Sequence, residues 1–345
     1  MQPPNRFTAI HVEEDYDQLD DTDDLSALRR VRTEYFADDS QSIVSQNDSP
    51  DIPFRYSVNP YRGCAHGCSY CYARPTHEYL GLNAGLDFES KVFVKLKAAS
   101  LFRDWLCRAD YEPEMVMFSG VTDCYQPAER QFKLTRACLE VAREARQPIA
   151  VITKNTLVTR DLDILTEMAA SRLVGVALSL TTLDARLART MEPRTSSPEA
   201  RLRAIRELSA AGVSTRVMVA RVIPGLNNHE IPGILAAAAE AGAQTAGYVL
   251  LRLPLTVAPV FVEWLERTQA LSQSRIESLI RNTRDGRMSS SEFGNRMRGT
   301  GQIADQIRQT FRVFAKKHGL DQPPMPLNVT QFVPPVASSG QLRLF

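Results

Sequence analysis

Three cysteines, Cys64, Cys68 and Cys71, stand inside "RGCAHGCSYCYARP" with the spacing C-x3-C-x2-C. Thiolate sites for a tetrahedral metal usually offer four ligands, and this stretch offers three. Three thiolates can hold three irons of a cubane [4Fe–4S] cluster and leave the fourth iron without a protein ligand. Such an open coordination position is what a catalytic metal requires. The alternative is a zinc ion with His66, which lies between two of the cysteines, as fourth ligand. That arrangement would crowd four ligands onto one short loop without a second knuckle.

Positioning such a loop falls to the segment from Arg55 to about Leu253. There, short β-rich runs alternate with helical periods: "RYSVNPY", "EMVMFSGV", "PIAVITK", "LVGVALSL", "STRVMVARV" and "AGYVLLRL". Between them lie amphipathic stretches at 130–146, 160–172, 198–211 and 229–241. "SSPEAR" supplies a serine cap with proline and glutamate in the first turn, and "SAAG" a terminal glycine. Strands alternating with helices predict a parallel sheet of βαβ units, and six units predict an incomplete barrel or a doubly wound sheet. In both, chemistry sits beyond the carboxyl ends of the strands. The cysteines follow the first run, and "GVTD", "TKN", "SLTT" and "VIPGLNN" follow or end later ones, so all collect on one rim.

Composition bounds the rest. The chain of 345 residues is 43% hydrophobic and 23% charged, a globular balance. No run approaches the ~18 apolar residues of a membrane span, and the first residues lack a basic, apolar, cleavable pattern, so a cytoplasmic protein without a membrane partner is expected. Six cysteines in that setting argue against a disulfide framework. Cys107 and Cys138 fall at helical spacing among apolar residues and read as buried, inert thiols. The net charge of +1 hides an asymmetry: residues 1–50 carry 12 acidic and 4 basic side chains, and residues 281–317 carry 9 basic and 3 acidic. The first segment reads as an acidic, largely disordered leader. Residues 259–320 read as a helical, basic extension suited to a polyanion or to an ordinary solvated surface, and 321–345 as an extended tail.

C-x3-C-x2-C after the first strand, with Tyr70 just before the last cysteine, resembles the signature of the radical S-adenosylmethionine (SAM) superfamily. Within it, "NPYRGCAHGCSYCYAR" and "MEPRTSSPEARLRAIRELSAAGV" resemble the spore photoproduct lyase-like group over residues 50–255. The resemblance implies a partial (β/α)6 TIM-like barrel over 51–258. It implies a [4Fe–4S] cluster on Cys64, Cys68 and Cys71 whose open iron is chelated by SAM. Reductive cleavage of SAM then gives a 5′-deoxyadenosyl radical that abstracts hydrogen, with electrons from a donor such as flavodoxin or ferredoxin. The group's substrate is a DNA lesion; a protein or small-metabolite substrate is the alternative, and a non-catalytic metal-binding adaptor a third reading.

Residue by residue, the resemblance gives Thr122 and Asp123 to the SAM amino group, where the superfamily often carries a glycine–glycine–glutamate run that this chain lacks. It gives Lys154 to the SAM carboxylate and Ser179 to carboxylate or ribose. Tyr70, Ile223, Pro224 and Asn227 fall to the adenine. Each also has a structural role open to it: Lys154 as an exposed cap, Ser179 as a strand hydroxyl, Asn227 as a helix cap. Cys124, on the loop after the second run, is the candidate hydrogen-atom donor, although spacing from Lys154 puts the group's cysteine nearer Val121. At the other end, Gln341, Leu342, Leu344 and Phe345 in "QLRLF" resemble the peptide that docks bacterial repair proteins on the DNA sliding clamp, with the rival of a tail folded back on its own barrel.

Overall fold

A computed structural model describes residues 9–13 and 32–337. Six parallel strands form its core: β1 (Tyr56–Val58), β2 (Val116–Phe118), β3 (Ile149–Thr153), β4 (Val174–Ser179), β5 (Ser214–Val222) and β6 (Thr245–Leu250). They pair in sequence order, each parallel to the next. Five fall within β-rich runs, and β6 overlaps the sixth, starting one residue before it. Parallel neighbours need crossovers, and these are the amphipathic helices Leu134–Glu144, Leu162–Ala170, Pro198–Ala210 and Ile231–Glu240, with Ala98–Leu106 before β2. The sheet does not close on itself, and the fold is a partial (β/α)6 barrel.

Residue choice explains the elements. In β4, Val174, Val176 and Leu178 are buried and Gly175 and Ala177 are half-buried, so alternate β-branched or bulky side chains pack outward on the helices. The helix Pro198–Ala210 starts at Ser197, whose hydroxyl accepts from the Ala200 N–H at 3.2 Å. It buries Ala204, Ile205 and Leu208; each large aliphatic chain so placed contributes about 1.5–3 kcal/mol.

Among the described residues of the acidic leader, those from 32 onward include regular structure. Residues Thr33–Ala37 and Val44–Gln46 are strands, and Tyr35 and Ile43 are buried in the main core. The local alternation in "TEYFA" puts Tyr35 inward, and an average over fifty residues conceals it. Val44–Gln46 extends the barrel sheet antiparallel to β1. Thr33–Ala37 belongs to a second, four-stranded sheet with Ala9–Glu13, Lys91–Val94 and Tyr61–Arg62.

Downstream, helices Val257–Thr268, Gln273–Asn282 and Gly301–Lys317 form the extension. The segment between the last two spans the gap between β6 and the residues before β1. Leu250 N–H donates to Met297 O at 2.9 Å, Gly294 N–H to Asp51 at 2.7 Å, and Arg296 Nε to Asp51 at 2.5 Å. The described part of the tail is extended and lies against the barrel: Asn328 N–H meets Arg172 O at 2.9 Å, and the Cys107 thiol meets Pro335 O at 2.9 Å. Cys107 is thus half-buried under the tail, while Cys138 is fully buried in the core. The clamp-like pentapeptide lies outside the described residues. Among the described residues no helix is long and apolar enough to cross a membrane.

Candidate functional site

The cysteine loop leaves the short strand Tyr61–Arg62 and ends at the helical turn Arg74–Leu80. Two glycines let it turn tightly. Gly63 has φ +78°, and a Cβ there would lie 2.9 Å from Phe88 O; Gly67 has φ +66°, and a Cβ there would lie 2.6 Å from the Arg194 guanidinium. The peptide groups between them are bound by side chains. Buried Arg74 donates to Cys68 O at 3.0 Å, to Gly67 O at 3.1 Å and to Glu89 at 3.0 Å. Gln126, on the loop after β2, donates to Gly63 O at 3.0 Å and accepts from Ala65 N–H at 2.9 Å. Arg194 donates from Nε to Ala65 O.

All three thiols are free of disulfides, Cys64 and Cys68 buried and Cys71 half-buried. Burial pushes Cys64 up to about 12, with Asp123 and Cys71 adding to it. Burial also raises Cys68, and Glu192, Cys71 and Cys64 add while Lys154 opposes. The thiols therefore sense one another's charge, and their joint ionisation needs cations at the site, which iron supplies. Among the described residues no three His, Cys, Asp or Glu side chains converge on one metal-ion position. His66 does not complete a zinc site: Nδ1 lies 3.5 Å from Asp123, and Nε2 lies 3.3 Å from Asn155 Nδ2. Burial pushes its pKa down to about 4. Three cysteines without a fourth protein ligand suit a cluster in which each thiolate holds its own iron.

Beside this loop stands a buried polar network. Lys154, at the end of β3, places Nζ 3.9 Å from Glu192, 3.5 Å from Ala220 O and 5.9 Å from the Tyr70 ring centre. Burial pulls the Lys154 pKa down to about 8; Cys68 opposes, and Arg201 and Arg221 add. An anionic group arriving here would raise that pKa again and be held by the Lys154 ammonium. Glu192 accepts from the Tyr70 hydroxyl, from Thr181 at 2.6 Å and from Arg201 at 2.5 Å. Arg201, on the first turn of its helix, also donates to Ser196 O at 2.8 Å and to Ser179 O at 2.9 Å.

The other expected residues take varied positions. Asp123 accepts from the Thr153 hydroxyl at 2.7 Å, Lys154 N–H at 2.8 Å and Tyr125 N–H at 2.9 Å, tying the loop after β2 to the end of β3. The Thr122 hydroxyl is committed to Tyr61 O at 2.9 Å. Ser179 is buried at the end of β4. Asn227 does not cap a helix with its side chain. It accepts from Ile223 N–H at 2.6 Å and donates to Thr181 O at 2.8 Å and Arg221 O at 2.9 Å, so it staples the turn of Ile223 and Pro224 to the end of β4. Tyr70, Lys154 and this turn therefore share one side of the cysteine loop. Cys124 is not on the open rim: its exposure is 0%, it packs in the main core, and burial raises its thiol.

Sequence reasoning missed Glu192, Arg201, Gln126, Arg221 and Arg252. "MEPR" beside a helix that carries a buried arginine was the available signal for the Glu192–Arg201 pair; nothing local marks the others.

The family model described as the Radical SAM superfamily matches residues 58–238. An uncharacterized protein of Mycobacterium tuberculosis is 40% identical over 232 residues, covering 67% of this chain and 68% of its own. One from Methanocaldococcus jannaschii is 29% identical over 172 residues, 50% of this chain and 62% of its own. Among solved structures, a spore photoproduct lyase complexed with dinucleoside spore photoproduct is similar with a TM-score of 0.58 at 16% identity, over 79% of this chain and 76% of that one. A doubly substituted mutant of spore photoproduct lyase, with bound AdoMet and dinucleoside spore photoproduct, gives 0.57 at 17% identity, with the same coverages of 79% and 76%. The likeness to these structures is one of fold.

Proposed function

Since the chain belongs to the radical SAM superfamily, whose enzymes use a [4Fe–4S] cluster and SAM, we propose that it abstracts hydrogen from a nucleic-acid substrate, in the first instance a DNA lesion. Cys64, Cys68 and Cys71 would hold the cluster. Bound there with SAM, it supplies an open coordination position and one-electron reduction fed by an external donor such as flavodoxin or ferredoxin. Lys154 would pair with the SAM carboxylate, an opposite-charge contact in a site that excludes water. The turn of Ile223 and Pro224, fixed by Asn227, would flank the adenine. Tyr70 is held by Glu192 and positions the wall on which Lys154 sits. Asp123 positions Lys154 through its peptide N–H. Cys124, enclosed by the core, has no part in the proposal.

The observation that carries the reading is the braced loop of three unbridged thiols beside a half-buried Lys154 whose Nζ faces Glu192 and Ala220 O. What supports the nucleic-acid substrate is the fold shared with spore photoproduct lyase and Arg221, which stacks on Tyr72 next to the cysteine loop and makes no ion pair among the described residues. Protein purified without oxygen should carry about four irons per chain. With dithionite and SAM it should release 5′-deoxyadenosine, and ultraviolet-irradiated DNA should stimulate that release over unirradiated DNA. Release without any response to irradiated DNA would remove the lesion substrate; no release at all would remove the chemistry.

A further inference from the structure

At the carboxyl ends of β5 and β6 stand two arginines, Arg221 and Arg252, that make no ion pair among the described residues. Arg221 is the unpaired residue of a bulge beside the end of β6, where Ala220 pairs with Val249 and Val222 with Leu250. Its guanidinium lies 5.1 Å from the centre of the Tyr72 ring, immediately after Cys71. Arg252 follows two residues after β6, and its Nη1 lies 3.6 Å from Met297 Sδ. Among the described residues neither arginine makes an ion pair, and the Nε of each is buried without an acceptor. Asp51, whose charge reaches Arg252, is already taken by Gly294 N–H and Arg296. The Tyr72 hydroxyl is likewise committed, to Gly120 O. Burial lowers the pKa of both arginines, and for Arg252 the positive charges of Arg296 and Arg221 lower it further.

Half-buried guanidinium groups that repel one another and lack a counter-ion are stabilised by a shared anion, and the planar guanidinium fork matches a phosphate. Their order is also informative. Arg221 stacks on Tyr72, immediately after Cys71, whereas Arg252 lies beside Met297, in the segment that reaches Asp51. The pair therefore runs outward from the edge of the cysteine loop to the lip of the barrel. We propose that Arg221 and Arg252 form a subsite for a phosphodiester of the substrate, holding the nucleic-acid backbone at the lip so that the adjoining nucleotide faces the cysteine loop. This inference rests on the nucleic-acid reading above. It assigns Arg221 and Arg252 to the substrate and leaves the SAM carboxylate to Lys154.

The test uses the anaerobic, cluster-loaded protein and a fluorescein-labelled single-stranded oligothymidylate of about ten nucleotides, a length that spans a single-strand groove. Affinity is read by anisotropy across a salt series, and SAM affinity by equilibrium dialysis. Arg252→Gln and Arg221→Gln should each weaken oligonucleotide binding roughly tenfold or more. Each should also reduce the slope of log affinity against log salt by about 0.7. Arg252→Lys should keep the slope while losing part of the affinity, because it keeps the charge but not the fork. SAM affinity should stay within about twofold in all of them. If wild-type protein binds the oligonucleotide and both glutamine variants match it, the subsite is wrong and the nucleic-acid reading stands. Absence of wild-type binding overturns both. A loss of SAM affinity as large as the loss of oligonucleotide affinity would assign the arginines to the SAM carboxylate and overturn the subsite. Should Arg221→Gln not fold, the Arg252 variants decide.

Discussion

Arg201, on the side of β3 and β4, meets Glu192 at 2.5 Å and also donates to Thr195 Oγ1, Ser196 O and Ser179 O. Across the mouth, Arg221 and Arg252 make no ion pair among the described residues and keep an unpartnered Nε each. Both regions are cationic, both are screened from water, and they solve the same electrostatic problem differently. A buried charge is tolerated when protein groups complete it, which makes framework, or when a ligand completes it, which makes a site. The Glu192–Arg201 side fixes Tyr70 and the ends of the strands. The Arg221–Arg252 side leaves its potential open.

The largest expected effect on this contrast comes from the loop that both regions border. Cys68→Ala should remove a cluster ligand and with it most of the bound iron and visible absorbance, measured per chain after anaerobic reconstitution. Next, Glu192→Ala leaves a fully buried Arg201 uncompensated and should lower unfolding stability by about 3–5 kcal/mol in denaturant titrations. Arg221→Met, by contrast, breaks no ion pair and should change stability by less than about 1 kcal/mol in either direction. Equal losses in these two variants would dissolve the distinction between framework and site. Lys154→Ala should retain its iron and weaken SAM binding by roughly tenfold, as for a lost hydrogen bond to a charged group; unchanged SAM affinity would reassign Lys154 to the framework. The smallest effect belongs to Cys124→Ala. The trimmed core should lose about 1 kcal/mol, with product yield and hydrogen-label incorporation unaltered, whereas lost labelling would bring this thiol back into the chemistry.

What could be read from the sequence was what is local. The six strands are legible because β-branched runs such as "VGVALS" alternate with helical periods, and the cysteine motif because its spacing is complete within eight residues. Lys154 and the turn of Ile223, Pro224 and Asn227 followed from the rule that strand ends collect on one rim. Pairings across the fold stayed hidden. Glu192 and Tyr70 are 122 residues apart, and Arg221 and Arg252 become neighbours only through the register of β5 and β6. Thr122 and Cys124 show the converse limit, since the rim rule placed them by loop membership. The backbone turns the Thr122 hydroxyl to Tyr61 O and the Cys124 thiol into the core. The basic run 281–317 likewise proved less free than its count: Arg296 is held by Asp51, Arg308 by Asp305, and Arg284 by Asn295 O and Leu251 O.

The contact of Asp51 with Gly294 and Arg296 works like a drawstring. It joins a segment ahead of the first strand to one well after the last, across the flank where the sheet is unpaired. The width of that flank is thereby held by a knot of one carboxylate, one guanidinium and one peptide N–H. Loosening that knot would widen the flank while every strand, and the loop that holds the thiols, kept its place.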